Sequence, residues 1–532
     1  MADRRITDLQ ELNALSAATF VAVDSESHGT RKYDIGSLVN ALTGAYPVWD
    51  ETNARYTNES ISAMLDARRD GQSYGVSIPK SSATTCTKIA SNAGIANPVP
   101  GTIGTASVDP YVGRGPFRYY EVNGYVDADG TPHVTGIMGD GRFRRDGSNG
   151  DVWIMTPVLW WRQNASGEET VERYISDTRL SGMSAQPHAY LPDGSLRPYM
   201  LYAKYAGVLG SDGYMHSYSG FAPMTRNVSH NSLITQCRTA STGYSGKSVA
   251  DDWYVKTMFL MKYATKDSQS VFAGCTSYNL NYAVTVAETG ATRVIILKAN
   301  AANLIVGSSV SLGTADHNNS VFGHGRILSV TDYDENNSAV NIDTTTSFDT
   351  TTSLKLSTEP WRTGTCDMVD GDGSPTSNTS GKEPFVMQGI EMMIGCYEIL
   401  GDVIVSNDGT NGWIPYVNHD SRNEATSVTE NYTSTGRALP TTDADGAKYP
   451  LYTQVSEGLD FGSDTGGSTS TGICDQHYTQ KLATTGTREW LGLGNLSGGA
   501  YAGLWCVSGN VALSSTNWGF GSRLSGTGRA AA

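Results

Sequence analysis

The chain has 532 residues, a formal net charge of −15, and 39% hydrophobic and 17% charged residues. That length exceeds what one core serves, and the apolar content suffices to build real cores, so the sequence describes a globular protein of two to four domains and excludes a disordered one. The acidic balance carries no Lys/Arg-rich block and no run approaches 18 apolar residues, which disfavours a nucleic-acid partner and insertion into a membrane.

In chain order, residues 1–45 read as a unit of their own: ITDLQELNAL, a strand-like TFVAVDS, a polar turn, then YDIGSLVNAL. It is too small to stand alone and is expected to lean on a partner chain or a neighbouring domain. Residues 46–73 form a helical linker, with Ile61, Met64 and Leu65 on one side of the helix. From Tyr74 the pattern is strand-rich (YGVSIPK, RYYEVNGYV, DVWIMTPVLWW), and the run Val152 to Trp161 is too apolar for a surface strand. The clearest helix starts at Ser248, where Ser248 and Asp251 have capping-box spacing and Val255, Met258, Phe259 and Lys262 give an amphipathic body. Residues 276–360 change to short alternating strands and read as an inserted β-domain, which divides a body of 74–275 from its second part, 361–532.

Signals for chemistry are negative. GYSGKS at 243–248 has Ser241 where a phosphate-binding loop needs Gly and Lys247 where a nucleophile elbow needs Gly. DADG (127–130) and DGDG (370–373) lack the later Glu of a calcium loop, and the histidines have no metal spacing. Cys86, Cys237, Cys275, Cys366, Cys396, Cys474 and Cys506 are odd in number with no CxxC pair, so free buried thiols are expected rather than disulfides or zinc. No catalytic residue, metal or cofactor is assigned, and the protein is not expected to be an enzyme.

Two segments carry a family resemblance. QGIEMMIGCYEILGDV (388–403) resembles a signature of the C-type lectin fold in variable proteins of diversity-generating retroelements, through Gly389, Ile390, Glu391, Gly395, Glu398 and Asp402; Tyr397 replaces a usual Trp, and Met392 and Cys396 replace usual Asn residues. GLGNLSGGAYAGLWCVSGNVALSSTNWGFGSRLSG (492–526) is similar to the variable region of those proteins, with Gly499, Ala502, Gly503, Leu504, Val507, Ser514, Gly521, Arg523 and Leu524 on scaffold positions. The ITDL, VAVD and DIGSLVNAL elements resemble attachment modules of bacteriophage tail fibres.

The resemblance implies an α+β protein: a C-type lectin fold body with an inserted all-β domain and a small N-terminal virion-attachment segment. It further implies a receptor-binding surface at about 490–526, made of Asn495, Leu496, Ser497, Gly498, Tyr501, Trp505, Ser508, Asn510, Val511, Ser515, Asn517, Trp518, Phe520 and Ser522. Tyr and Trp offer large contact area at low entropic cost while Ser, Gly and Asn adapt, as in antibody paratopes. Aromatic residues in a β-rich domain also pack in cores; the scarcity of aliphatics favours the surface for Tyr501 and Trp518 and leaves Trp505 open between the two. The function so implied is attachment of a phage tail, as a homotrimer assembled in the bacterial host cytoplasm, to a host-cell surface receptor, glycan or protein. The alternatives are a virion-associated polysaccharide depolymerase and a structural baseplate or decoration protein.

Overall fold

The computed structural model describes residues 20–23, 31–34, 46–165, 169–237 and 243–531. It corrects the expected class. Strands hold 35% of the chain and helices 9%, in several antiparallel sheets, so the protein is mostly β rather than α+β, and the lectin-like body expected from two short motifs is not upheld as a fold assignment. The physical reason lies in the composition: Gly, Ser, Thr, Asn and Tyr favour short strands and structured turns, and few segments carry a helical apolar stripe.

Among the described residues there are four α-helices: α1 (Asn58–Asp66), α2 (His230–Gln236), α3 (Val249–Tyr263) and α4 (Lys298–Ala301). α3 is the pillar of the body. Its Ser248/Asp251 capping box is formed, and Ala264 ends it in the left-handed conformation (φ 48°). All fifteen of its residues are buried, so the polar side of its amphipathic spacing faces protein rather than solvent. Its two lysines survive burial because each is paired, Lys256 with Asp252 at 2.6 Å and Lys262 with Asp109 at 2.8 Å and with Asp372, while Asp251 accepts the Ser248 N–H and hydroxyl in the cap.

A six-stranded sheet joins distant segments in the order Ser245–Gly246, Leu524–Ser525, Met200–Ala203, Asp151–Thr156, Tyr120–Val126, Pro132–Ile137. The end of the chain is therefore sewn between strands more than 270 residues earlier, with Tyr202 opposite Ser525 and Gly246 opposite Leu524. Asp151–Thr156 is buried at every position. α1 docks on this sheet: Ile61, Met64 and Leu65 enter one core with Val122, Val134, Trp153 and Tyr199.

A second sheet runs Thr433–Ser434, Ile414–Val417, Tyr397–Asn407, Gly486–Gly492, Val507–Gly509, His477–Thr479, Gly446–Lys448, and Phe520–Gly521 pairs in parallel with Tyr397–Asn407. The strands between Asn281 and Glu359 pair only with one another and enclose a core of Val294, Ile296, Val310, Leu312, Ile327 and Val340. In the N-terminal unit Phe20–Val23 pairs antiparallel with Arg31–Asp34; ITDLQELNAL and the part of YDIGSLVNAL beyond Asp34 lie outside the described residues. All seven cysteines are buried with free thiols. No helix among the described residues is long and apolar enough to cross a membrane.

Candidate functional site

The two motif segments meet in space. Arg523 donates through Nε to Glu398 at 3.1 Å and through Nη2 to the same carboxylate at 2.5 Å, closing a gap of 125 residues. Its remaining donors reach the carbonyls of Ala203 (3.0 Å) and Glu391 (2.9 Å). From this pair a chain of alternating charge crosses the core: Glu398 to Lys247 (3.0 Å), Lys247 to Asp252 (3.2 Å) and Asp252 to Lys256; the Lys256 ammonium then donates to the Asp460 backbone carbonyl at 2.9 Å, and the Asp460 carboxylate pairs with Arg173 at 2.6 Å. Burial pushes the Glu398 carboxyl up, but Arg523 and Lys247 together outweigh it and hold it at about 2. Glu391 accepts the N–H groups of Gly364 and Cys366, and Asp402 accepts the first N–H of α3. These acids anchor segments to each other rather than face solvent.

The terminal segment is fixed on this frame by two glycines with no room for a side chain. A Cβ on Gly395 (φ 113°) would lie 2.5 Å from Leu496, and one on Gly503 (φ 139°) would lie 2.2 Å from an Asp475 oxygen. Asp475 accepts the Trp505 N–H at 2.9 Å and the Ser268 hydroxyl at 3.0 Å; burial pushes its carboxyl up to about 7.

The fourteen residues assigned to the surface divide into three groups. Ser497, Tyr501 and Asn517 are exposed, Tyr501 at 54%. Gly498, Ser508, Asn510, Val511, Ser515, Trp518 and Phe520 are half-buried. Asn495, Leu496, Trp505 and Ser522 are buried and unavailable to a receptor, which corrects their assignment. Trp505 is fully enclosed, edge-on to Phe259 of α3 at 5.8 Å between ring centres. Leu496 fills a core with Tyr278, Trp361 and Ile394. The Ser522 hydroxyl donates to the Ile399 carbonyl at 2.7 Å, and Asn495 accepts from the backbone and hydroxyl of Ser497.

Three half-buried aromatic or aliphatic members are also committed internally. Trp518 stacks on His317 of the inserted segment, ring centres 3.6 Å apart and planes within 8°. Phe520 meets Tyr397 edge-on, and Val511 packs against the core beneath the six-stranded sheet. The outward set is therefore Ser497, Gly498, Tyr501, Ser508, Asn510, Ser515 and Asn517.

Two tyrosines that the sequence did not single out adjoin it. Tyr478 lies opposite Ser508 in a parallel pairing and is half-buried. The Tyr449 phenol is pushed up to about 12, first by burial and then by the neighbouring Tyr501 phenol. No local pattern marks either residue, because only the pairing of His477–Thr479 with Val507–Gly509 brings this region beside the terminal strand. Residues 490–522 contain no charged side chain, so the surface presents rings, hydroxyls and amides without a net charge of its own. A surface of this kind offers contact and hydrogen bonding rather than long-range electrostatic steering. Among the described residues no three His, Cys, Asp or Glu side chains are placed to hold a metal ion. The chain matches no family model and no curated protein.

Proposed function

We propose that this chain is a phage receptor-binding protein of a tail fibre or tail tip, and that its C-terminal surface attaches the virion to a host-cell surface receptor by non-covalent contact. The observation that carries this reading is the contrast within residues 490–522. Ser497, Tyr501, Asn510, Ser515 and Asn517 face outward from a backbone that Glu398, Arg523, Asp475 and Trp505 fix from within. A rigid frame with exchangeable outward side chains keeps the entropic cost of binding low. The role needs no catalysis. The receptor is a glycan or a protein, the N-terminal segment joins other tail or baseplate proteins, and several copies per virion, as in a homotrimer, supply avidity.

The test is binding of the labelled full-length protein to a panel of bacterial cells. Saturable binding to some of them is expected, weakened about tenfold or more (roughly 1.4 kcal/mol) by Tyr501→Ala with thermal unfolding unchanged. Trp505→Ala should instead cost about 3–5 kcal/mol of stability, as core tryptophans do. Binding that survives Tyr501→Ala at full strength refutes the surface, and a chain that binds none of the cells refutes the function.

A further inference from the structure

Glu359 ends the Lys355–Glu359 strand of the inserted segment with its carboxylate fully enclosed. Its donors all go to one oxygen: Arg226 Nη2 reaches Oε1 at 2.5 Å and the Ser311 hydroxyl donates to it at 2.7 Å. Among the described residues nothing donates to Oε2. Two imidazoles stand beside the carboxylate, His317 Nδ1 at 3.9 Å from Oε1 and His324 Nε2 at 4.0 Å from Oε2, both beyond hydrogen-bond reach. His317 Nε2 donates to the Asn279 side-chain oxygen at 2.8 Å, which leaves Nδ1 of the neutral ring as a lone pair. His324 Nε2 meets the Thr225 hydroxyl at 3.1 Å, and Nδ1 of each ring is buried without a hydrogen-bond partner. The site is thus rich in acceptors and short of a hydrogen. A buried carboxylate oxygen without a donor is costly as an anion and far less so as a protonated acid.

This site lies on a seam where three segments meet. Arg226, from the body, donates its backbone N–H to the Asn517 carbonyl at 2.8 Å, Nη1 to the His317 carbonyl at 2.6 Å and Nη2 to Glu359. Trp518 stacks on the His317 ring on the same seam. Arg226 (φ 66°), His317 (φ 52°) and His324 (φ 52°) are all left-handed without being glycine, so the seam stores backbone strain that its contacts have to hold. The terminal segment is therefore tied to the inserted one through the very guanidinium whose anionic partner is Glu359.

We infer that Glu359 carries a proton on Oε2 in the native protein, and that loss of this proton loosens the seam that fixes Asn517 and Trp518 to the inserted segment. An ionised Oε2 needs a donor that the closed seam does not supply, and parting the seam admits water to it. Burial pushes the Glu359 carboxyl up to about 7, against the pull of Arg226 and the Ser311 hydroxyl. Burial, with the positive charge of Arg226, pushes both imidazoles down to about 4. The Thr358 carbonyl and Asp316 favour a charged His317 and the Pro360 carbonyl a charged His324, but they are outweighed, and Arg362 adds to the depression of His324. Asp316 is itself paired with Lys355 at 2.7 Å, and Arg362 with Asp343 at 2.8 Å. The two rings therefore stay neutral between about pH 5.5 and 8.5, where Glu359 changes charge. Its folded value is raised above 4.5, so its stabilisation of the seam is present below about pH 4.5 and lost as pH rises through 7. Asn517 belongs to the outward set, so this proton sets the order of one edge of that surface whatever the surface binds.

Amide hydrogen exchange of the full chain, corrected for the intrinsic rate at each pH, tests this against Glu359→Gln. Gln keeps an oxygen for Arg226 and Ser311 and carries fixed hydrogens where the acid holds its proton. At about pH 5.5 the two proteins should exchange alike; at about pH 8.5 the wild type should exchange tenfold or more faster at the Arg226 and His317 amides, with Met200–Ala203 equal in both. Ser311→Ala takes one donor from the carboxylate and needs no Gln variant for its reading. It should move the onset of fast exchange at these amides upward by about half a pH unit or more, an effect that loosened packing alone does not produce. Equal exchange in wild type and Glu359→Gln at about pH 8.5, a difference already as large at about pH 5.5, or an onset that Ser311→Ala leaves in place overturns the inference.

Discussion

Replacing Arg523 by Met keeps most of the side chain's volume and removes its charge, which isolates the contribution of the pair that joins the terminal segment to the body. In the native protein the guanidinium serves Glu398 and two carbonyls, and both Arg523 and Glu398 are buried. Glu398 would keep Lys247 at 3.0 Å but lose its closest cation. Breaking a buried pair from one side costs about 3–5 kcal/mol. Linkage points the same way: Arg523 and Lys247 together hold the carboxyl at about 2 against an ordinary 4.5, a stabilisation on the order of 3 kcal/mol shared between the two cations. A loss of about 3–5 kcal/mol is a large share of the 5–15 kcal/mol that holds a typical domain. The group's folded value is depressed, so this stabilisation is present above about pH 4.5 and is lost as pH falls from there through 2. Arg523→Met should therefore unfold at lower denaturant by tryptophan fluorescence and should lose less further stability than wild type below pH 4.5. The double variant Glu398→Gln/Arg523→Met should recover part of the loss, because no unpaired acid remains. A cost below about 1 kcal/mol for Arg523→Met would refute the claim that this pair secures the terminal segment.

Trp518→Ala removes the stack on His317 and the packing against the core that holds Tyr278, Trp361 and Leu496, for about 1–3 kcal/mol. Hydrogen exchange should quicken around His317 and in Asn281–Ala283 while Leu524–Ser525 keeps its protection; equal exchange in both proteins would count against Trp518 as the grip on the inserted segment. Glu489 is buried, accepts the His230 N–H at 2.9 Å, and is pushed up to about 8 by burial. Its folded value is raised, so it contributes most below about pH 4.5 and that contribution is lost as pH rises through 8. Glu489→Gln should therefore flatten the fall in melting temperature between pH 5 and 8, and an unchanged pH profile would refute a protonated Glu489 in the native protein.

Local features were determined by the sequence itself. Ser248 and Asp251 fixed the start of α3, the apolar run from Val152 produced a fully buried strand, and the alternating residues of the inserted segment produced strands that pair among themselves. Each of these signals is short-range: a cap, a period or an apolar run acts within a turn or a strand. Only the tertiary structure decided the class, since thirty-odd short strands collectively outweigh four helices although no one of them is prominent in the sequence. It also decided which aromatics are contacts. Tyr501 and Trp505 stand four residues apart in the same kind of polar, glycine-rich setting, yet one faces water and the other is sealed against Phe259. That difference arises from α3, more than 240 residues earlier, and separation along the chain likewise hides the meeting of Glu398 with Arg523, of Tyr478 with Ser508 and of His317 with Trp518. Burial is a property of what packs on a segment, and composition within the segment cannot specify it.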